Sequence, residues 1–123
     1  MALKFDILED DKWFTNADFT VKFQILQADE VTPQNISGWN LSWIVKRRTT
    51  DADALALFPA KTVGSGITIT NGLTGLCEAF VADTDTLNAR AGVYAHELKR
   101  NDPGLETPLC PGIAVLRASA HRS

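Results

Sequence analysis

A stretch of alternating apolar and polar side chains directly after a turn constrains this chain most. A Ser-Gly pair at 37–38 supplies the turn, and residues 41–45 then read Leu-Ser-Trp-Ile-Val. Successive side chains of a strand point to opposite faces of a sheet, so Leu41, Trp43 and Val45 share one face. The pattern predicts a half-buried strand with Trp43 as a core anchor, as in a two-sheet sandwich.

Further short runs with the same alternation follow along the chain. Residues 19–25 alternate most clearly, and residues 67–70 are all β-branched. An Asn-Gly pair at 71–72 predicts a turn that pairs residues 76–81 back onto the preceding run. We predict a single domain, residues 1–123, folded as an all-β, antiparallel sandwich of about seven or eight strands. The expected core anchors are Phe23, Trp43, Ile69, Tyr94 and Val115.

The amino-terminal segment combines aromatic and acidic residues. Residues 3–7 alternate as a short strand, and Trp13 and Phe14 follow an acidic cluster at 9–11. The two rings either plug one end of the core or dock on a partner, and the plug is favoured because large aromatic residues usually serve their own core. The candidate contacts with other chains are the terminal segments 1–14 and 118–123. The individual candidate residues are Phe5, Trp13 and Phe14 in the first segment, and Trp39, Arg47 and Arg48 outside both segments.

Length and composition limit the classes of protein to which the chain can belong. With 123 residues, 45% of them hydrophobic, the chain is large enough for a core without metal or disulfide staples. Its formal charge of −3 offers no general attraction to nucleic acid or to an anionic membrane. The charged start lacks the apolar stretch of a signal peptide, and no run approaches the roughly 18 apolar residues of a membrane span. We expect a soluble protein with no nucleic-acid or membrane partner.

Cysteine and histidine residues do not predict a catalytic or metal centre. Cys77 and Cys110 are too few for a disulfide framework, so free thiols are expected, and a disulfide between them stays open. His96 and Glu97 resemble the start of a zinc-protease motif, but Arg100 stands where the second histidine would be needed. We interpret His96 as a buried or interface histidine.

Other polar clusters also lack the composition of a ligand site. The acid pairs at 51/53 and 83/85 each supply too few oxygen ligands for calcium. The Gly-Ser-Gly run at 64–66 precedes a strand rather than the helix of a nucleotide site. The basic run at 46–48 is typical of a solvated strand end that can pair with acids on a partner.

These patterns predict a non-enzymatic protein with no catalytic residue, no cofactor and no metal ion. Two alternatives stay open. One is an enzyme whose site forms between subunits. The other is a carbohydrate-binding module, for which the candidate rings are Trp13, Trp39 and Tyr94.

The order of these signals resembles a known family. Tyr94, near the start of a strand, resembles the tyrosine corner of immunoglobulin-like sandwiches. Residues 36–46, residues 66–72 with 75–76, and residues 83–87 with 91–98 together resemble the immunoglobulin-like domains of tailed-phage virion proteins, in particular the amino-terminal domain of baseplate upper proteins and related fibre-anchoring or decoration modules.

The resemblance implies a structural protein of a phage virion that is made in the host cytoplasm. Family members usually continue into a long oligomerising region, whereas this sequence ends at Ser123. We therefore expect a capsid decoration or cement protein, with a small tail or baseplate adaptor that anchors a fibre as the alternative. The implied partners are other virion proteins, foremost the major capsid protein, and further copies of the chain in a homo-oligomer, with a trimer favoured.

Overall fold

The computed structural model describes residues 4–7, 13–15, 17–29, 31–48, 51–52, 55–87 and 89–118. Within these ranges the regular structure consists of strands and short 3-10 turns. The strands are β1 (Lys4–Ile7), β2 (Phe19–Leu26), β3 (Leu41–Lys46), β4 (Lys61–Val63), β5 (Gly66–Asn71), β6 (Leu76–Val81), β7 (Gly92–Arg100) and β8 (Thr107–Leu116).

The eight strands follow the order β1-β2-β6-β5-β4-β3-β7-β8. Neighbours are antiparallel except β4 and β5, which pair in parallel through two residues each, Thr62 with Gly66 and Val63 with Ile67. This short parallel junction divides the strands into two groups. We call β1, β2, β6 and β5 the β2 sheet, and β4, β3, β7 and β8 the β3 sheet.

The β2 sheet confirms the predicted pairing of the two runs around the Asn-Gly turn. β5 pairs with β6 in antiparallel register, and Ile69 lies opposite Cys77. A 3-10 turn, Gly72–Thr74, connects the two strands. On the other side of β6, Phe23 of β2 lies opposite the same cysteine. Cys77 is therefore held between Phe23 and Ile69 in the middle of this sheet.

The β3 sheet contains the strand that the Trp43 alternation predicted. Trp43 lies opposite Leu98 of β7, and Val45 lies opposite His96. On the far side of β7, His96 lies opposite Gly112 of β8. The side chains of Trp43, Val45, His96 and Leu98 are buried, and Gly112 faces the same side, so the inner face of the sheet runs across three strands.

Aromatic contacts join the two sheets into a sandwich. The ring centroids of Phe23, from β2, and Trp43, from β3, are 6.0 Å apart with an edge-on geometry. Trp13 stacks on Phe19 at 5.5 Å and also meets the edge of Trp43 at 5.6 Å. Because these rings come from both sheets and from the segment before β2, one core serves all of them.

Trp13 is buried as the core plug, so it is not the partner contact for which it was also a candidate. The backbone explains its position. The amide of Arg117 donates to the carbonyl of Trp13 at 2.9 Å, and the amide of Thr15 donates to the carbonyl of Arg117 at 2.8 Å. This parallel bridge to the end of β8 draws the segment 13–15 against the core.

The predicted tyrosine corner is confirmed. The hydroxyl of Tyr94 donates to the backbone carbonyl of Arg90 at 2.7 Å, which ties the start of β7 to the crossover that precedes it. A 3-10 turn, Asp83–Thr86, begins that crossover after β6. The Tyr94 ring is buried, so one side chain both fills the core and fixes the connection.

The core contains Phe23, Trp43 and Tyr94, while Ile69 packs on it from the rim and stays half-buried. The assignment of Val115 to the core was wrong, because its side chain is exposed. Ala114 and Leu116 are the buried residues of that run, and alternation then directs Val115 outward. The last strand, β8, begins at Thr107 and contains two prolines, which an edge strand tolerates.

Candidate functional site

The interior holds a polar contact that the sequence patterns did not predict. The indole Nε1 of Trp43 donates to Nδ1 of His96 at 3.2 Å, and both side chains are buried. The ring centroid of Trp13 lies 5.3 Å from that of His96. Because an indole N–H only donates, Nδ1 of His96 is the acceptor, and the imidazole is neutral with its proton on Nε2. The interpretation of His96 as a buried histidine is confirmed, and its ring is not accessible to a substrate.

The histidine and Gly112 form a matched pair across two strands. A Cβ atom added at Gly112 would lie 2.6 Å from Nε2 of His96, so the imidazole occupies the space of a side chain at position 112. His96 also stands two residues after Tyr94, where antibody domains place the second cysteine of their inter-sheet disulfide. In this chain a histidine takes that position, and its hydrogen bond to Trp43 joins two neighbouring strands of one sheet, β3 and β7, instead of linking the two sheets.

Cys77 is a free, buried thiol. Burial, aided by the neighbouring charge of Glu78, raises the pKa of Cys77 to about 12 from 9.0. A thiol with this pKa stays protonated at neutral pH, and the thiolate is the nucleophile, so Cys77 is chemically inert in the folded state. The side chain of Cys110 lies outside the part of the chain that the structure describes.

The acidic pair at 83/85 serves the fold. The Asp85 carboxylate accepts a hydrogen bond from the amide of Ala82 at 2.9 Å and pairs with Nζ of Lys61 at 2.7 Å. Among the described residues, no group of three or more His, Cys, Asp or Glu side chains is arranged to hold a metal ion. No helix in the same ranges is long and apolar enough to cross a membrane.

The three rings proposed for a carbohydrate site do not form a stacking platform. Trp13 and Tyr94 are buried. Trp39 packs partly on the core, and the guanidinium of Arg100 lies 3.9 Å from its ring centroid. Asp102 accepts from Nε of Arg100 at 2.8 Å and from the backbone amide of Asn40 at 3.2 Å, and these hydrogen bonds hold the pKa of Asp102 below its usual value. Trp39 is thus part of a clamp between β3 and β7.

The predicted contact residues do not gather in one place. Arg47 and Arg48 are exposed after the end of β3, and Phe14 is exposed beside the bridge to Arg117. Trp39 lies before the start of β3, so a strand about 20 Å long separates it from the two arginines. The side chain of Phe5 lies outside the described residues. Phe14, Arg47 and Arg48 share the end of the sandwich where β7 begins and β8 ends.

The outer face of the β3 sheet carries a set of apolar side chains that no pattern predicted. Val93 lies opposite Val115, and Ala95 lies opposite Ile113. Ile44 of β3 lies opposite Glu97, two pairs along from the Lys46–Ala95 pair and therefore on the same face. The exposed fractions are 58% for Val93, 73% for Ile113 and 44% for Val115. We call Ile44, Val93, Ala95, Ile113 and Val115 the outer stripe.

A shallow groove of about 420 Å³ borders the outer stripe. Ile44 and Ala95 line both the groove and the stripe, and Lys46, Glu97 and Lys99 bring charge to the groove. Glu97 has no ion-pair partner among the described residues, whereas Lys99 shares a 3.4 Å pair with Glu106. An apolar centre with charged residues at its edge is the usual composition of a protein-binding surface.

Comparisons with known proteins bear on the fold. No protein-family model matches the chain, and no curated protein matches its sequence. Among solved structures, the whole chain is similar to a part of MtrC from Shewanella baltica OS185, with a TM-score of 0.51 and 12% identity, and it spans 23% of that chain. It is also similar to the structure of Dpr1 IG1 bound to DIP-eta IG1, with a TM-score of 0.39 and 12% identity over 94% of this chain and 95% of that one.

At 12% identity, the likeness to MtrC shows a fold alone. In this chain, two facing sheets, a tryptophan on the third strand and a tyrosine corner at the start of the seventh are the features of an immunoglobulin-like sandwich. The chain is an all-β protein with an immunoglobulin-like β-sandwich. Because a sandwich of this class serves many unrelated functions, the function has to be argued from the surface.

Proposed function

We propose that the chain is a non-enzymatic structural module of a tailed-phage virion, and that it decorates the capsid. The outer stripe carries this proposal. Its side chains are apolar and lie on the outside of a sandwich whose own core does not include them; Val93, Ile113 and Val115 are exposed, and Ile44 and Ala95 are half-buried. Exposed apolar patches of this kind mark surfaces that other proteins cover. The phage setting comes from the sequence resemblance of residues 36–46, of residues 66–72 with 75–76, and of residues 83–87 with 91–98.

The chemistry of the described residues supports a role without catalysis. His96 and Cys77 are the side chains best suited to act as a base or a nucleophile, and both are buried. His96 is enclosed by Trp13 and Trp43, and Cys77 is held protonated by its raised pKa. A catalytic group needs access to substrate and a partner for proton transfer, and neither residue has that access.

The expected partner is the major capsid protein, with copies of this chain repeated by the symmetry of the capsid. A repeated contact covers the same surface on every copy, which is how a small sandwich with exposed edges is accommodated in an assembly. Phe14, exposed at one end of the sandwich, is the described candidate for contacts between copies. A homotrimer is the favoured arrangement.

Electron cryomicroscopy of particles from the source phage tests the proposal. Density that fits this sandwich on the capsid lattice would support the decoration role. Density confined to the tail or baseplate would replace that role with an adaptor that anchors a fibre. If mass spectrometry finds the chain in no purified particle, the virion role is overturned.

A further inference from the structure

His96 is enclosed by residues from three parts of the fold. Trp43 of β3 donates to its Nδ1 at 3.2 Å, and Gly112 of β8 lies against its Nε2. The ring of Trp13 covers the imidazole from a third side, with the ring centroids 5.3 Å apart. The His96 side chain is 2% exposed, so it is shielded from bulk water. A change in the imidazole therefore acts on β3, on β8 and on the segment 13–15 together.

Protonation of His96 is incompatible with this arrangement. In the neutral ring Nδ1 accepts the indole proton, whereas both nitrogens of an imidazolium donate. Because an indole N–H can only donate, a proton on Nδ1 would set two N–H groups against each other and leave Trp43 without an acceptor. The proton also adds a charge to a side chain that is shielded from water, which costs further free energy. The closed core therefore resists a proton that an exposed histidine binds at about pH 6.5.

The titratable and charged groups around the imidazole, among the described residues, do not offset this cost. Tyr94, on the same strand, donates its hydroxyl to a backbone carbonyl and is therefore a neutral phenol. Cys77 of β6 faces the same core as a protonated thiol, because its pKa is raised to about 12. Glu97 and Lys46 project from the opposite face of the sheet, and the Arg47 guanidinium lies over the Tyr94 ring. The described side chains of β8 and of the segment 13–15 that face the imidazole are not ionisable.

Of the three parts that enclose the imidazole, the segment 13–15 is the least firmly attached. β3 and β8 pair with β7 along nearly their whole length, whereas the bridge to Arg117 ties the segment through the carbonyl of Trp13 and the amide of Thr15. The indole Nε1 of Trp13 is also buried with no hydrogen-bond partner among the described residues, which costs free energy that contact with water would recover. Displacement of this segment is therefore the least costly way to bring water to a charged imidazole.

We propose that His96 is an acid switch, whose protonation breaks the hydrogen bond with Trp43 and releases the segment 13–15 from the core. Above about pH 6.5 the neutral imidazole holds the indole of Trp43, and the ring of Trp13 closes over it. The open form binds a proton that the closed form resists, so the closed form loses stability as the pH falls below this value. The switch is a property of the folded domain and does not depend on the virion role.

Amide hydrogen exchange, followed by NMR spectroscopy, tests the release of the segment. The sequence has two histidines, so His121→Gln leaves His96 as the single imidazole, and this variant is measured from pH 7.5 to pH 5.5. Each exchange rate is divided by the intrinsic rate at the same pH, which gives a protection factor. His96→Gln in the same background is the control, because the glutamine oxygen can accept the indole proton but does not titrate in this range.

The bridge amides of Thr15 and Arg117 should be less protected than the amides that join β2 to β6, because the segment opens without global unfolding. Their protection factors should fall as the pH is lowered, by a factor that approaches ten per pH unit, and should stay constant in the control. Equal protection of the bridge and the β2–β6 pair would overturn the release of the segment. Protection that does not change with pH, or a fall that persists in His96→Gln, would overturn the switch.

A long-range ¹H–¹⁵N correlation spectrum of the imidazole reads the protonation state directly and needs only the His121→Gln variant. At pH 6.5 the folded protein should show a neutral His96 ring with its proton on Nε2. An imidazolium spectrum of the folded protein at this pH would overturn the inference, as would a proton on Nδ1.

Trp43→Phe separates the role of the indole from that of burial, because it keeps a ring and removes the N–H. The imidazolium spectrum should then appear at a pH roughly one unit higher, since a hydrogen bond contributes about as much free energy as a tenfold change in proton affinity. An imidazole that titrates at the same pH with and without the indole N–H would refute the role of Trp43 in the switch.

Discussion

The two outer faces of the sandwich differ, although they cover one core. On the β2 sheet the outward positions are mostly hydroxyl, amide or charged, namely Thr20, Lys22, Gln24, Thr68 and Glu78. On the β3 sheet the outward positions include the outer stripe. An antiparallel sheet with one solvated face normally alternates apolar inward and polar outward, and the β2 sheet follows that rule. The β3 sheet departs from it, and this departure is the observation on which the proposed partner surface rests.

The largest expected effect comes from the core that both sheets share. Trp43→Ala should lower the free energy of unfolding by about 3–5 kcal/mol, because it empties the space between β2 and β3 and leaves His96 without its donor. Urea denaturation followed by circular dichroism measures the loss. Trp43→Phe, which keeps a ring but removes the N–H, should lose less. A loss below about 1 kcal/mol for the alanine variant would show that the sheets do not depend on one core.

The next effect is specific to the β3 sheet. Gly112→Ala adds a Cβ within 2.6 Å of His96, and overpacking of this kind should cost about 1–3 kcal/mol of unfolding free energy. The clash should vanish in a His96→Ala background, so a double-mutant cycle from urea denaturation should show a coupling of at least about 0.5 kcal/mol between the two positions. Additive losses would mean that the imidazole does not fill the space at Gly112.

The third prediction concerns the interior of the β2 sheet and has a defined pH dependence. The pKa of Cys77 is raised to about 12 in the folded state from 9.0. Above pH 9 the unfolded chain loses this proton and the folded chain keeps it. The contribution of Cys77 to the free energy of unfolding is therefore fully present below pH 9 and is lost as the pH rises toward 12. The loss approaches about 1.4 kcal/mol per pH unit.

Urea denaturation between pH 8 and pH 10.5 measures this slope. Cys77→Ala is the control, because the difference between the two slopes removes the contribution of every other group that titrates in this range. Identical slopes for the two proteins would contradict the raised pKa of Cys77.

The strands with clean alternation were predictable, because each contains its own signal. β2 and β3 alternate apolar and polar residues, and the burial of Phe23 and Trp43 follows directly. The four consecutive apolar residues from Ile113 to Leu116 carry no such signal, so their faces could not be assigned and Val115 was placed inside. A glycine within a strand marks a close approach, and placing Gly112 inward would have turned Val115 outward.

The candidate site was less predictable, because it depends on contacts between distant residues. The outer stripe exists only because β3, β7 and β8 pair in one register. The burial of Trp13 depends on a backbone bridge to Arg117, about a hundred residues further along the chain. Arg47 and Arg48, in contrast, lie exposed at the end of a strand, as their basic run indicated.

The smallest expected effect tests the comparison of the two faces most directly. Ile113→Thr should change the free energy of unfolding by less than about 0.5 kcal/mol, because the side chain is 73% exposed and threonine keeps the β-branched shape. Phe80→Thr should lose more, about 1 kcal/mol, because about half of that ring is buried. Urea denaturation of the purified variants measures both changes. If the loss at Ile113 equals or exceeds the loss at Phe80, the stripe belongs to the packing of the fold itself. If Ile113→Thr loses less unfolding free energy than Phe80→Thr, the more exposed side chain, Ile113, contributes less to folding. The stability of the isolated domain then does not explain why isoleucine occupies position 113.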